Sequence, residues 1–141
     1  GYLCADKEFI NSVNKIQGHL SGNNCTFAQY GALAALEMDY KIVKDMTEEL
    51  KERRDLAYEL FNELFPLEKP QGAFYLFPNV EKNIKALGLN NCEEFALYLL
   101  EKAKVAILPG SAFGKPGHIR IAFASSREEI KEAYQKIKEV L

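Results

Sequence analysis

Val105-Ala-Ile-Leu-Pro-Gly-Ser-Ala-Phe-Gly114 is followed, after Lys115-Pro-Gly117, by His118-Ile-Arg-Ile-Ala-Phe-Ala124. The apolar run Lys104 to Leu108 reads as a strand, and Pro109-Gly110 has the chemistry of a type II turn. Lys115-Pro-Gly117 reads as a second turn. His118 to Ala124 alternates, which is the period of a strand. It puts Ile119, Ile121 and Phe123 on one face and Arg120, Ala122 and Ala124 on the other. Ser126 with Glu129 is a capping box. It opens a final helix carrying Ile130, Ala133, Tyr134, Ile137 and Leu141.

Upstream, Ala73 to Phe77 is a short apolar run between Gly72 and Pro78 and reads as a strand. Asn91 with Glu94 starts a helix with Phe95, Leu99 and Ala103. From about Gln71 the order is therefore strand, helix, strand, strand, helix. This predicts an α/β fold of the α+β kind: a two-layer domain with helices on one face of a sheet. Before it, a long helix is predicted from about Tyr40 to Phe65, with Val43, Met46, Leu50, Ala57, Phe61 and Leu64 in a helical stripe. Pro66 and Pro70 end it. Further upstream, Asp6 is placed to cap a helix over Lys7 to Gln17, and Gly18 to Asn24 reads as a loop. Thr26-Phe-Ala-Gln29 fits a second capping box, opening a helix whose Gly31, Ala32, Ala34 and Ala35 predict close packing. The apolar Gly1-Tyr-Leu-Cys-Ala5 reads as a start within a strand.

The bulk numbers narrow the function classes. With 141 residues the chain is long enough for a real core. Its 18 basic and 20 acidic residues leave a net charge of −2, which argues against a nucleic-acid or membrane-surface partner. Apolar runs are too short for a membrane span. Cys4, Cys25 and Cys92 form no C-x-x-C pair and have no histidine at ligand spacing, so no metal site is expected. They read as buried or half-buried free thiols, consistent with a reducing, cytoplasmic setting.

Arg120 is the residue with most chemical reach. Beside Ala122 and Ala124 it has room over its guanidinium, and arginine binds carboxylates bidentately. The local pattern alone favours an arginine that is solvated or paired with a surface glutamate. The loop Pro109–Gly114 could offer N–H groups to an anion, although it matches neither the Walker nor the dinucleotide pattern and a plain connection is the better reading. Two distant histidines, His19 and His118, support no hydrolase triad.

Taken together, several stretches resemble the fold-type I aminotransferases that use pyridoxal phosphate, of class I/II and aspartate aminotransferase-like. Gly1-Tyr2 looks like the end of that family's lysine motif. Asn24-Cys-Thr-Phe-Ala-Gln29 with Tyr30 to Leu36 is similar to a segment of its large domain. Pro70-Gln-Gly-Ala-Phe-Tyr75 resembles a small-domain strand motif. Val105 to Gly114 with His118 to Ala124 is the nearest match. The order and spacing agree across the chain.

The resemblance implies that the chain is a C-terminal portion. Residues 1–39 would be the remnant of the large cofactor-binding domain, 40–66 a long interdomain helix and 67–141 the small C-terminal domain. It implies that Arg120 binds the substrate α-carboxylate, which reverses the local reading, and that Phe74 is an aromatic near the substrate. It implies amino acid and 2-oxo acid substrates and a homodimer. The loop Ser21 to Asn24, with Gly-Asn-Asn-Cys where Ser-Asn-Pro-Thr is frequent, would approach the partner's site. The family's Schiff-base lysine would lie upstream of Gly1, with the cofactor's other ligands. No catalytic or cofactor-binding residue is therefore assigned within the chain, and the chain alone is expected to be inactive. Residues 1 to about 38 would be left with bare apolar faces. The alternatives are a related lyase or synthase acting on amino acids, a non-enzymatic module binding a carboxylate or partner through Arg120, and an inactive scaffold.

Overall fold

The computed structural model describes all residues, Gly1 to Leu141. They divide into two compact units, Gly1–Ile42 and Val43–Leu141. The first unit contains helices α1 (Lys7–Leu20) and α2 (Thr26–Glu37) and the first turn of α3 (Tyr40–Leu64). Neither α1 nor α2 has a buried residue. Phe27 is 81% exposed and Leu36 85%. Residues 1–6 join no sheet, so the strand expected at the start is not formed. Asp6 stands at the N-cap of α1 without a side-chain bond. Thr26 is the first residue of α2, not its cap. That position belongs to Cys25, and Gln29 instead donates to the Asn24 carbonyl at 3.2 Å. Cys4 and Cys25 are exposed and only Cys92 is buried, because the first unit buries so little.

The second unit holds the rest of α3, β1 (Tyr75–Leu76), α4 (Glu81–Ala86), α5 (Cys92–Lys102), β2 (Leu108–Pro109), a 3-10 turn (Gly110–Phe113), β3 (Ile119–Ala122) and α6 (Arg127–Lys138). The strands form one antiparallel sheet in the order β1-β3-β2. Ile119, Ile121 and Phe123 point into the core, where they join Phe61 and Phe65 from the α3 end, Leu76, Phe95 and Leu99 of α5, and Ile130, Tyr134 and Ile137 of α6. Two edge-on ring pairs lock the helices together: Phe61 with Tyr134 at 6.1 Å and Phe65 with Phe95 at 6.2 Å. Pro66 lies two residues beyond Leu64, the last residue of α3, where a helix stop is expected.

The caps explain where α5 and α6 begin. Asn91 accepts the N–H of Glu94 at 2.8 Å, and Ser126 and Glu129 form the reciprocal box. Arg127 then ties α6 to α3 by donating to Glu49 at 2.6 Å, with Glu52 also in reach.

In the second unit three further expected features differ. The strand predicted over Ala73–Phe77 shortens to two residues, because Ala73 sits in the left-handed region at φ 58°. The strand predicted over Lys104–Leu108 loses its start for the same reason. Lys104, also at φ 58°, closes α5, and the Val105 N–H turns back to the Leu99 carbonyl. Pro109-Gly110 is not a type II turn, since it leads into the 3-10 turn and Gly110 keeps a negative φ. Helix α4, which the sequence reading missed, is a turn and a half started by Asn79, whose side chain accepts the Glu81 N–H at 3.0 Å. No helix is long and apolar enough to cross a membrane.

Candidate functional site

The open face of the sheet carries Arg120, the candidate site residue. Register sets Tyr75 opposite Ala122 and Leu108 opposite Arg120. Directly opposite residues of an antiparallel pair share a face, so Tyr75, Ala122 and Arg120 lie together, with Tyr75 diagonal to Arg120. The Tyr75 ring centre is 4.3 Å from Arg120 Cζ. On the other flank of β3, the 3-10 turn delivers Phe113, whose ring centre is 3.8 Å from the same atom. The rings continue outward. Phe77 meets Phe113 edge-on at 6.4 Å and stacks on His118 at 5.4 Å. At the other end Phe74 leans on Tyr75 at 4.6 Å. The imidazole is held by Nδ1 donating to the Pro116 carbonyl at 3.1 Å.

Phe113 depends on a tightly built loop. The Gly110 N–H donates to the His118 carbonyl at 2.7 Å and the Lys115 N–H to the Gly110 carbonyl at 3.0 Å. A Cβ on Gly110 would stand 2.5 Å from one carbonyl oxygen, so only glycine fits. Gly114, at φ 73°, ends the turn. The Ser111 hydroxyl donates to Glu93 in the first turn of α5, which holds that carboxyl below its ordinary range.

Arg120 itself is half-buried, and its side chain takes part in no ion pair or hydrogen bond with the chain. No side-chain nitrogen or oxygen is both buried and unsatisfied, so its donors reach solvent. Of the two local readings, the glutamate pairing is absent and the solvated arginine is what the structure shows. The room expected over the guanidinium is partly taken by two rings that no single-strand reading could see. Phe74 lies one ring away from the guanidinium, against Tyr75. A cleft of about 620 Å³ borders this face and is lined in part by Tyr75, Phe77, His118 and Lys115.

A helix-backed antiparallel sheet thus carries on its open face one arginine whose side chain has no ion pair within the protein. The chain belongs to the aminotransferase class I and II family, which it matches over residues 1–137. It is 36% identical over 140 residues to an aspartate aminotransferase of Bacillus subtilis, covering 98% of this chain and 36% of that protein. It is 40% identical over 146 residues to an aspartate aminotransferase of Pyrococcus abyssi, covering all of this chain and 36% of that one. Its structure resembles an aromatic aminotransferase from Pyrococcus horikoshii, with a TM-score of 0.89 at 36% identity over 98% of this chain and 37% of that one. The chain thus spans about a third of the length of the relatives it matches.

Proposed function

We propose that the protein to which this chain belongs moves an amino group between an amino acid and a 2-oxo acid, and that Arg120 clamps the substrate α-carboxylate. The observation that carries this is the unpaired guanidinium on the open face of β3. Two parallel N–H···O bonds fix both the position and the plane of a carboxylate. The carbon bearing it is then fixed too, and the bond to be broken is oriented before reaction. Phe74 borders the approach to that clamp.

Pyridoxal phosphate, when bound, supplies the electron sink for this chemistry. The residues around Arg120 do not fit it. The side chains nearest Arg120 on that face are rings and apolar groups, with Lys115 and His118 only in the cleft at its border, whereas the group needs a lysine, a carboxylate for its ring nitrogen and donors for its phosphate. Its holding falls to the rest of the protein, and no lysine here takes the cofactor-bearing role. In this reading residues 1–39 belong to the large domain, 40–66 form the interdomain helix and 67–141 the small domain. The protein works as a homodimer.

The test is amino transfer from aspartate and from phenylalanine to 2-oxoglutarate, followed as glutamate formed with pyridoxal phosphate added. The intact product of the gene is compared with the 141-residue chain. Transfer by the intact product alone supports the reading. Transfer by the short chain, or an intact product that releases ammonia or another fragment and forms no glutamate, contradicts it.

A further inference from the structure

Arg120 raises a question that its role as a clamp leaves open: what orients it. An arginine is usually held by a carboxylate of its own chain, but such a partner would occupy the donors needed for the substrate. Here the guanidinium has no such partner, and rings from both flanks of β3 approach it at 4.3 and 3.8 Å. A ring engages the guanidinium through π-stacking and cation–π attraction and uses none of its five in-plane N–H donors.

We propose that Tyr75 and Phe113 are positioning residues that set the plane of the Arg120 guanidinium, presenting its free N–H edge to the substrate carboxylate. This rests on the carboxylate reading of Arg120. Both rings are themselves fixed: Tyr75 by its register opposite Ala122 and by Phe74, and Phe113 by the Gly110 and Ser111 contacts and by Phe77. The rings act through their faces, so the tyrosine hydroxyl is dispensable. A lysine at position 120 would gain less from them, because an ammonium has no plane to stack.

The experiment measures binding of succinate and of 3-phenylpropionate to the full-length protein by calorimetry, so that an acidic and an aromatic carboxylate are both offered. Tyr75→Leu and Phe113→Leu should each weaken the better-bound probe roughly 3- to 10-fold, the range expected for a partly desolvated cation–π contact. Tyr75→Phe and Phe113→Tyr should stay within about 2-fold by the same reasoning. Arg120→Lys should cost much less in the doubly substituted Tyr75→Leu, Phe113→Leu background than in the parent. A loss of packing alone would not produce that coupling. Arg120→Leu separates the two claims. If it leaves both affinities unchanged, the carboxylate clamp fails, and the positioning role with it. If it abolishes binding while the leucine variants bind like the parent, or the Arg120→Lys cost is unaltered by them, the clamp stands and the positioning role is overturned. Should the leucine variants not fold, Tyr75→Phe and Phe113→Tyr still decide: a large loss in either contradicts a role carried by ring faces.

Discussion

Replacing Gly110 by alanine puts a methyl carbon 2.5 Å from the carbonyl oxygen of Lys115 and 2.7 Å from that of His118. Both are backbone atoms and cannot rotate away. Ordinary contact begins near 3.4 Å, so the loop must open by most of an ångström. It is closed by two hydrogen bonds, from Gly110 N–H to His118 and from Lys115 N–H to Gly110. Overpacking of this kind costs about 1–3 kcal/mol, and two strained hydrogen bonds about 1 kcal/mol each. The stiffer unfolded chain of an alanine variant returns about 0.4–1 kcal/mol. The net loss is roughly 2–5 kcal/mol, or a fall in Tm on the order of 10–25 °C for a unit of this size. Urea unfolding checks it: the midpoint should drop with the slope unchanged. Gly72→Ala is the comparison, since a Cβ there meets nothing within 4 Å. It should stay within about 0.5 kcal/mol of the parent. A Gly110→Ala protein as stable as Gly72→Ala would refute the close approach and the placement of Phe113 built on it.

Other consequences are smaller or simpler. Lys104→Gly should stabilise by up to about 1.5 kcal/mol in the same denaturation assay. It relieves a left-handed backbone that costs a residue with Cβ roughly 1–2 kcal/mol, against glycine's greater unfolded-state freedom of about 0.5–1 kcal/mol. Phe95→Ala empties a fully buried site between α5 and Phe65 and should cost about 3–5 kcal/mol, read as a lowered urea midpoint. Acid should loosen the loop behind Phe113. Glu93 is held below its ordinary value first by the Ser111 hydroxyl, so its contribution is complete above the unfolded value of about 4.3 and lost as pH falls through the depressed one. Ser111→Ala should flatten that part of the stability-versus-pH curve, and an identical acid limb would contradict the pairing.

What the sequence made legible follows from local physics. Ser126 with Glu129 and Asn91 with Glu94 set helix starts through bonds spanning three residues, and both are formed. The stripe of α3 and the alternation of β3 are equally local, and Ala57, Phe61, Ile119, Ile121 and Phe123 are buried as their spacing implies, whereas Val43 and Met46 at the start of the stripe are exposed. The strand ends at Ala73 and Lys104 were hidden because nothing in those side chains favours a positive φ. Helix α4 is too short to show a period, although Asn79 before Glu81 and Gly88 after it are start and stop signals that could have found it. At the site, Arg120 and its face were readable. Its two rings were not, since Tyr75 reaches it through strand register and Phe113 through a loop whose course depends on Gly110. Both are contacts between elements, which no single stretch encodes.

The most direct test of the central claim asks whether Arg120 recognises the α-carboxylate. The full-length protein is given an amino acid and the amine that lacks only its α-carboxylate, and kcat/KM is measured for both before and after Arg120→Leu. Two charge-assisted hydrogen bonds predict discrimination on the order of 100-fold or more in the parent, collapsing towards parity in the variant. A variant that still prefers the amino acid by the parental factor would show that the carboxylate is held elsewhere.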